Sequence, residues 1–355
     1  MDMLALVLLI VVLGVLIFLH EFGHYITSKK FGAYVYEFSI GMGPKIFSFK
    51  RKKKNDPTEY SLRLFPIGGY CAIAGETSED DGMDVKLKKN EYMCNKPIWQ
   101  RCIILIAGVT MNFLSGFIIL FISALLFGSV NNASYVGRVE EGYPISEAGI
   151  EVGDRILKID GKSAKSWDKI TLLLNYKHKS KTYIFTVEKK DGSVKDYKIK
   201  PIISKDKEGN EIRTFGLGQN AKKQKGLWVS FKNSVAKFFT IIDSMWSVII
   251  NLINGNLSLN ALSGPVGVYS VMGEAAHTSI DSVLFIAAYL SINLGFINIL
   301  PFPAFDGGRV LFLIIEKIRK KKMKPKVENM INTIGFVLLI ILMIVITIKD
   351  ILKLV

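Results

Sequence analysis

Four long runs of apolar residues divide the sequence, at positions 3–19, 102–130, 283–300 and 331–348. A helix needs about 20 apolar residues to cross the hydrocarbon core of a membrane, and these runs approach or exceed that length. The first run holds no charge and continues directly into His20 and Glu21. The pattern predicts a polytopic α-helical membrane protein with about four transmembrane helices.

The first apolar run also has to be compared with a secretory signal peptide. A signal peptide has a basic leading segment and a cleavage site made of small residues. Here the leading segment carries Asp2 instead of Lys or Arg, and no such cleavage site follows. We therefore expect a retained transmembrane helix.

A further apolar segment, residues 227–253, is interrupted by polar residues. Lys232, Lys237 and Asp243 stand in it, with apolar residues between them at helical spacing. This pattern is typical of a helix that lies at the membrane interface or against other helices. We count four spans, and whether this segment forms a fifth is left open.

The composition agrees with a membrane protein once the charges are located. The chain has 355 residues, a mean hydropathy of +0.31 and a net charge of +15. The hydrophobic content excludes an intrinsically disordered chain, and the presence of only 3 Cys excludes a disulfide scaffold. Such a positive surplus can indicate a nucleic-acid partner, or it can mark the cytoplasmic loops of a membrane protein.

Lys and Arg are concentrated in two connections between the apolar runs. Residues 28–101 include the basic run 51–54, and the link after the third apolar run has seven Lys or Arg residues among positions 317–326. Cytoplasmic loops carry such an excess, so we expect both connections inside the cell and both chain termini outside it. Topology then explains much of the charge, and we expect no nucleic-acid partner.

Two of the four histidines stand in the pentapeptide His20-Glu21-Phe22-Gly23-His24. Residues four apart share one face of a helix, so both imidazoles can reach one metal ion. The intervening Glu21 has the position of a general base rather than of a ligand. A pair of ordinary buried histidines is the simpler interpretation, but an ionisable cluster at the end of a membrane helix is unfavourable unless it serves a function.

Two histidines leave a tetrahedral zinc ion one protein ligand short, besides a water. His277 or a carboxylate could complete the set, and Asp306 in the segment NILPFPAFDGG (298–308) is the best candidate. Two prolines break the helix there, and paired glycines allow a close backbone approach. Asp306 could instead cap a helix, and the local sequence leaves both roles open.

Taken together, these segments resemble the site-2 protease family of intramembrane zinc metalloproteases. HEFGH in a first membrane helix and NILPFPAFDGG after a later one carry the resemblance. Further similar segments follow in order over nearly the whole chain: FPIGGY (65–70), KPIWQRCIILIAGVTMN (96–112), SGPVG (263–267) and SINLGFIN (291–298). The similarity is greatest to the bacterial branch represented by RseP and RasP.

The resemblance implies a zinc metalloendopeptidase of a bacterial plasma membrane. It implies His20, His24 and Asp306 as the ligands of Zn²⁺, Glu21 as the catalytic base, and no cofactor beyond the metal. It also implies single-span membrane proteins as substrates, either anti-sigma factors already cut outside the membrane or remnants of signal peptides. Phe305, where leucine is usual, departs from the family pattern without removing a ligand.

Residues 34–74 read as strands and turns, and the resemblance implies a re-entrant β element here, in contact with the lipid bilayer. A substrate helix must unwind before hydrolysis, and each freed backbone group costs roughly several kcal/mol in a dry setting. An exposed strand edge supplies partners, which makes Gly68 and Gly69 candidate substrate-binding residues. Asn293, polar within an apolar run, is a third candidate, or it forms only an interhelical hydrogen bond.

Residues 131–220 resemble a PDZ domain inserted outside the membrane. A tight turn at Gly153-Asp154 and an alternating strand at 155–160 carry this resemblance. Such a domain can capture a peptide ligand as an added strand, or it can serve only to exclude bulky substrates. The sequence leaves both possibilities open.

Two other classes of protein fit part of the pattern. A metal-ion transporter could use the same four polar side chains, but it predicts inverted repeats, which the sequence lacks. A membrane-anchored scaffold with a degenerate pentapeptide is disfavoured because every expected ligand and the base are present. A tethered protease for soluble peptides is disfavoured by the position of the site beside apolar runs.

The chain is expected to consist of seven segments, in this order: the first transmembrane helix with its metal-binding motif (1–27), a cytoplasmic loop with a membrane-associated β element (28–101), the second transmembrane helix (102–130), the PDZ domain (131–220), an interfacial helical segment (221–282), the third transmembrane helix with the NILPFPAFDGG motif (283–309), and a basic link with the fourth transmembrane helix (310–355).

Overall fold

The computed structural model of the chain describes residues 2–50, 58–76, 87–175, 182–205, 211–220, 222–255 and 262–352. The helices in these ranges are α1 (Met3–Lys30), α2 (Ile98–Phe127), α3 (Pro144–Glu147), α4 (Trp167–Asn175), α5 (Leu227–Ile253), α6 (Pro265–Thr278), α7 (Ile280–Ile299), α8 (Asp306–Arg319) and α9 (Pro325–Leu352). The strands are β1 (Val35–Lys50), β2 (Glu59–Ile73), β3 (Ser129–Val130), β4 (Arg138–Val139), β5 (Arg155–Ile159), β6 (Lys162–Ser163), β7 (Tyr183–Glu188), β8 (Val194–Ile199), β9 (Ile202–Lys205), β10 (Glu211–Thr214), β11 (Leu217–Gly218) and β12 (Lys223–Gln224).

Five of the described helices, namely α1, α2, α5, α7 and α9, are long and apolar enough to cross a membrane. Four of them cover the apolar runs that the sequence assigns to spans. The fifth, α5, meets the same criteria because its polar residues do not break the helix. Large apolar side chains stay exposed on these helices, as Val11 and Phe336 do at 55% and 57%, which suits a surface in contact with lipid tails.

The described chain divides into two compact units, residues 1–119 with 260–355 and residues 120–259. In the first unit, α1 and α2 run antiparallel and approach each other at small residues. A Cβ atom on Gly23 would overlap the carbonyl of Ala107, and one on Gly116 would lie 2.6 Å from Ile292 of α7. Small residues permit such close helix contacts in a membrane, where association depends on packing and interhelical hydrogen bonds.

The strands predicted after α1 are present as β1 and β2, and they fold into a small sheet. Residues 37–40 of β1 have partners on both sides, residues 69–72 on one side and residues 59–62 on the other. The remainder of β1 pairs with the beginning of β2. Residues 69–72 therefore form an outer edge of the sheet. Its position relative to the membrane stays a prediction.

A buried charged cluster holds this sheet together. The carboxylate of Glu37 accepts hydrogen bonds from Ser61, Tyr70 and Arg63, and Arg63 also donates to the carbonyl of Gly43 at 2.6 Å. Burial raises the pKa of the Glu37 carboxyl, but these hydrogen bonds outweigh it and lower the pKa below its usual value. An ionised carboxylate thus ties the bend of β1 to β2.

The SGPVG segment begins α6, and α9 supplies the acceptor for its first turn. Asp350 is buried, and its Oδ2 accepts hydrogen bonds from the N–H groups of Gly264 at 2.7 Å and Gly267 at 3.1 Å. A Cβ atom on either glycine would lie within 3.3 Å of that oxygen. The glycines therefore admit the carboxylate, which satisfies N–H groups that a helix start leaves without partners.

The second unit contains a four-stranded sheet with the order β6-β5-β7-β8. Alternate residues of β7, namely Tyr183, Phe185 and Val187, are fully buried and form its core with Ile156 of β5 and Ile170 of α4. This period of two is the pattern expected of a strand with one buried face. The assignment of the unit to the PDZ class stays a prediction.

The polar residues of α5 have partners within the second unit. Lys237 lies 2.8 Å from the carboxylate of Asp168, and Asp243 forms an ion pair with Lys169. Both partners belong to α4. The polar positions that interrupt the apolar pattern of α5 therefore hold this helix against the sheet domain.

Candidate metal centre

The segment between α7 and α8 brings Asp306 toward α1. Pro301 and Pro303 follow the last turn of α7 and cannot continue its hydrogen-bonding pattern. Ala304 adopts the left-handed conformation (φ 78°), and its N–H lies 3.3 Å from the side-chain oxygen of Asn332. The chain thereby reverses within a few residues, and α8 begins at Asp306.

Three side chains place their donor atoms at the corners of a nearly equilateral triangle. The Nε2 atoms of His20 and His24 are 3.3 Å apart, and Asp306 Oδ2 lies 3.2 Å from the first and 3.3 Å from the second. The two imidazoles are buried and the carboxylate is nearly so. In the part of the chain that the structure describes, this is the cluster able to hold a metal ion.

The structure places the other candidate ligand, His277, elsewhere. Its Nε2 lies 2.7 Å from Asp2 Oδ2, at the start of α1. The 18 residues that separate Asp2 from His20 correspond to about 27 Å of helix. Asp306 does not cap α8 either, because it is the first helical residue and the N-cap position is taken by Phe305. Its Oδ2 is buried and has no hydrogen-bond partner among the described residues.

Both histidine rings are oriented by α2. Nδ1 of His24 lies 2.8 Å from the carbonyl oxygen of Ile104, and Nδ1 of His20 lies 3.0 Å from the side-chain amide of Asn112. Hydrogen bonds of this kind fix the orientation of a metal-binding imidazole and the nitrogen that carries its proton.

Gly108 of α2 lies directly against the two rings. A Cβ atom at this position would overlap Nε2 of His24 and would lie 2.8 Å from Cε1 of His20. The absence of a side chain at Gly108 therefore allows the two rings to lie side by side between α1 and α2.

Glu21, between the two histidines in the sequence, is hydrogen-bonded to the small sheet. Its Oε2 accepts a hydrogen bond of 3.1 Å from the N–H of Cys71, which belongs to the outer edge formed by residues 69–72. Successive residues of a strand alternate in direction, so the N–H and C=O groups of Gly69 face the same side as those of Cys71. The strand edge thus lies beside Glu21.

The two glycines predicted to bind substrate are required by this sheet. Gly68 has a φ of +91°, which other residues rarely adopt. A Cβ atom on Gly69 would lie 2.5 Å from the carbonyl oxygen of Ser39, so a side chain there would disturb the pairing of the edge. Their contact with a substrate remains a prediction.

Asn293 is half-buried in the second half of α7. Its side-chain amide has no hydrogen-bond partner among the described residues. The neighbouring Gly295 packs against Phe113 and Asn112 of α2. The interhelical hydrogen bond considered for Asn293 is therefore not found in the described structure.

Several residues that position the site are not evident from the sequence motifs. Arg309, three residues after Asp306, forms an ion pair with Glu76, which follows β2 closely. This pair connects the start of α8 with the end of the small sheet. The sequence gives little local sign of these roles. Arg309 directly follows the NILPFPAFDGG segment, and Asn112 is a polar residue within an apolar run.

Residues 8–342 match the family model described as Peptidase family M50. The chain belongs to peptidase family M50, the site-2 proteases. This M50 protein is a zinc metalloprotease and a multi-pass membrane protein. Membership of this family decides against the metal transporter and the scaffold considered from the sequence.

Relatives of this M50 protease cover nearly its whole length. The protein FN1322 of Fusobacterium nucleatum is 36% identical to it, with 97% of this chain and 98% of FN1322 aligned. The regulator of sigma-W protease RasP of Bacillus subtilis is 30% identical, with 97% of each chain aligned. The zinc metalloprotease RasP of Shouchella clausii is 31% identical, with 97% and 98% aligned.

The contact between Gly108 and the imidazoles generates a testable prediction. The substitution Gly108→Ala introduces a Cβ atom into the histidine rings, so we expect zinc affinity to fall by roughly 10-fold or more although no ligand is changed. Overpacking should also lower the stability by about 1–3 kcal/mol. Chelator competition and thermal unfolding of the purified protein measure the two effects.

The substitution Gly273→Ala is a matched control, because its Cβ atom would lie 3.5 Å from Ala5, an ordinary contact. Parental zinc affinity in Gly108→Ala would contradict the close fit of α2 against the rings.

Proposed function

We propose that His20, His24 and Asp306 bind the zinc ion and that Glu21 acts as the general base in the hydrolysis of a peptide bond at membrane depth. The observation that carries this proposal is the triangle of donor atoms with Glu21 held beside it. In a tetrahedral zinc site with bonds of about 2.0–2.1 Å, neighbouring donor atoms are about 3.3 Å apart. The separations found here are 3.2–3.3 Å.

The chemistry of the donor set also suits zinc. Two neutral imidazoles and one carboxylate leave a fourth position free, as in zinc sites that catalyse hydrolysis. When bound, the ion supplies Lewis-acid chemistry, polarising the scissile carbonyl and activating a water. The buried Asp306 Oδ2, which lacks a hydrogen-bond donor among the described residues, is then the third ligand.

The hydrogen bonding of Glu21 supports its proposed role in proton transfer. Its Oε2 is held by the N–H of Cys71 at 3.1 Å, which leaves Oε1 to accept the proton of the attacking water. The same carboxyl then returns the proton to the leaving amine. The hydrogen bond to Cys71 keeps the carboxyl from rotating while it exchanges the proton.

The edge of the small sheet gives the substrate a binding mode. A membrane-spanning substrate reaches the site as a helix, and its freed N–H and C=O groups need partners when it unwinds. Residues 69–72 can take up the extended segment as an added strand, with Gly68 and Gly69 in contact with it. The unpaired amide of Asn293 supplies a further partner from α7.

The substrates are then single-span membrane proteins shortened outside the membrane by another protease. Anti-sigma factors and remnants of signal peptides belong to this class. The name of the Bacillus subtilis relative, regulator of sigma-W protease, supports the first of these.

Helix directions in the first unit support four spans. Contacts of His20 with Asn112 and of His24 with Ile104 make α2 antiparallel to α1. Gly116 of α2 lies against the carbonyl of Ala288, and Gly295 of α7 lies against Phe113, so α7 is antiparallel to α2. The end of α2 and the start of α7 therefore lie on one side of the membrane, the side of Asp2.

The chain between α2 and α7 must consequently cross the membrane an even number of times. This stretch contains α5 and α6, and the 14 residues of α6 measure about 21 Å, too short for the hydrocarbon core of about 30 Å. If α5 alone crossed the membrane, the number of crossings between α2 and α7 would be odd. We infer that α5 lies on the membrane surface, as its ion pairs with α4 also favour, and that both termini face outward from a bacterial plasma membrane.

The sheet domain contains a groove beside α4. The groove has a volume of about 330 Å³ and lies between α4, with Thr171 and Leu174, and the segment 213–218 that includes β11. A strand and a helix that flank a groove are the elements with which a PDZ domain binds a peptide as an added strand. We propose that the groove captures the shortened outer end of the substrate.

The substitutions Glu21→Gln and Asp306→Asn separate the two proposed roles. Glu21→Gln should retain zinc and lose cleavage of a tagged single-span substrate, because the amide cannot take a proton. Asp306→Asn should lose both zinc and cleavage. Metal analysis and co-expression with the substrate measure the effects, and full activity of Glu21→Gln would overturn the assignment of the base.

Single cysteines test the topology in a cysteine-free background. Gln224→Cys before α5 and Asn254→Cys after it, both at exposed positions, should react with a membrane-impermeant maleimide in intact cells. Lys320→Cys, in the basic link, should react only after permeabilisation. Labelling of Asn254→Cys only in permeabilised cells would show that α5 crosses the membrane.

The substitution Thr171→Trp tests the groove, since a large side chain at this exposed position fills it. We expect cleavage of a shortened substrate to fall several-fold while zinc content stays unchanged. Lys198→Trp, at an exposed position of β8, is the matched control. Equal cleavage by both variants and the parent would indicate that the domain excludes bulky substrates without binding a peptide.

A further inference from the structure

The geometry points to Asn112 as the positioning residue that fixes the proton of His20, and this inference rests on the proposed binding of zinc by His20. Asn112 is fully buried in α2, and its side-chain amide lies 3.0 Å from Nδ1 of His20. Its Oδ1 is buried without a hydrogen-bond partner among the described residues. A buried amide with one half paired and the other unpaired, directed at a ligand, indicates a role beyond packing.

The position of the proton on His20 defines this role. An imidazole that binds a metal through Nε2 carries its proton on Nδ1, and that N–H needs an acceptor. The amide oxygen of Asn112 is such an acceptor, whereas its NH₂ group is a donor. A 180° rotation of the Asn112 amide group exchanges its oxygen and nitrogen. Which atom faces His20 is therefore assigned from the hydrogen bonds that each orientation permits. We therefore assign Oδ1 to Nδ1–H of His20.

The rotation leaves the NH₂ group without a partner instead of the oxygen, so the number of unpaired groups does not decide the orientation. The requirement of His20 for an acceptor decides it, because the opposite orientation would keep the proton on Nε2, where the metal binds.

The two histidines are thus controlled in different ways. The ring of His24 faces the backbone carbonyl of Ile104, which can only accept and which no substitution removes. The ring of His20 faces a side chain that can donate or accept. The proton position of His20 consequently depends on the identity of one residue, and this makes the inference testable.

The packing of Asn112 holds its amide in place. The backbone carbonyl of Asn112 accepts a hydrogen bond of 2.8 Å from Ser291 of α7, and its Cβ lies 3.3 Å from the position that a Cβ on Gly295 would take. The packing of α7 against this turn of α2 therefore limits the movement of the amide away from the His20 ring.

Two substitutions of opposite chemistry distinguish positioning from packing. Asn112→Asp keeps an acceptor opposite Nδ1–H, and Asn112→Leu keeps a similar volume and removes the acceptor. If Asn112 positions His20, zinc affinity of the full-length purified protein should fall by roughly 10–100-fold in the leucine variant and stay within a few-fold of the parent in the aspartate variant. If Asn112 only packs, the order of the two variants reverses.

Zinc affinity is measured by chelator competition, and the visible spectrum of the cobalt-loaded protein reports the ligand geometry independently of cleavage. Thr110→Val, at an exposed position of the same helix, is the control. Should the leucine variant fail to fold, Asn112→Ala replaces it, with the same expected loss. Parental affinity in the variant without an acceptor, or a loss in Asn112→Asp as large as in that variant, would overturn the inference.

The variant Asp306→Ala separates this inference from the proposed function. If Asp306→Ala keeps parental zinc affinity, the proposed ligand set is wrong and the role of Asn112 falls with it. If Asp306→Ala loses zinc while Asn112→Leu retains parental affinity, the ligand set stands and only the role of Asn112 is overturned.

Discussion

The approach of α1 to α2 across two glycines is the contact on which the metal centre depends. Gly23 and Gly108 have no side chains, so the backbone of α2 reaches the histidine rings directly. The carbonyl of Ile104 and the amide of Asn112 can bond the two rings only because the helices are this close. Since apolar side chains gain little from contact with each other in lipid, such an approach is stabilised by packing and hydrogen bonds between the helices.

Polar groups within this unit follow the rule that a buried charge needs a partner. Arg101 and Glu316 form a buried ion pair of 2.9 Å between α2 and α8, and Asp350 binds two backbone N–H groups. The two imidazoles have partners on their outer sides, and their Nε2 atoms and Asp306 Oδ2 face one another. A divalent cation between them resolves this arrangement, because it supplies the positive charge that three converging acceptors lack.

The sequence predicts the parts of the site that depend on local spacing. His20 and His24 share a helix face, residues 34–74 read as strands and turns, and Asp306 follows from the break after α7 and from the family resemblance. The sequence does not predict Asn112, Gly108 or the pair of Arg309 and Glu76. Their roles arise from the packing of helices that are distant in the chain, and no periodicity within one helix specifies what lies opposite it.

The sequence of α5 likewise does not determine whether this helix crosses the membrane. Its polar residues left the number of spans open, because a polar residue in an apolar helix has the same appearance whether it faces water, a headgroup or an acidic partner. In the structure, Lys237 and Asp243 have charged partners on α4, which supports the proposed position of α5 on the membrane surface. The proposed number of crossings rests on the directions of α1, α2 and α7, which no sequence window contains.

In the proposed mechanism, the hydrogen bond between Cys71 and Glu21 links substrate binding to catalysis. Under that proposal, an added strand pairs in a fixed register with those groups of residues 69–72 that Glu21 leaves free, because a shift by one residue would turn its side chains to the opposite face. The same edge holds the carboxyl of Glu21 through the Cys71 N–H. A substrate that pairs with this edge therefore has its peptide bonds at set positions relative to the base. The pairing that stabilises the unwound segment also selects the bond that is presented for hydrolysis.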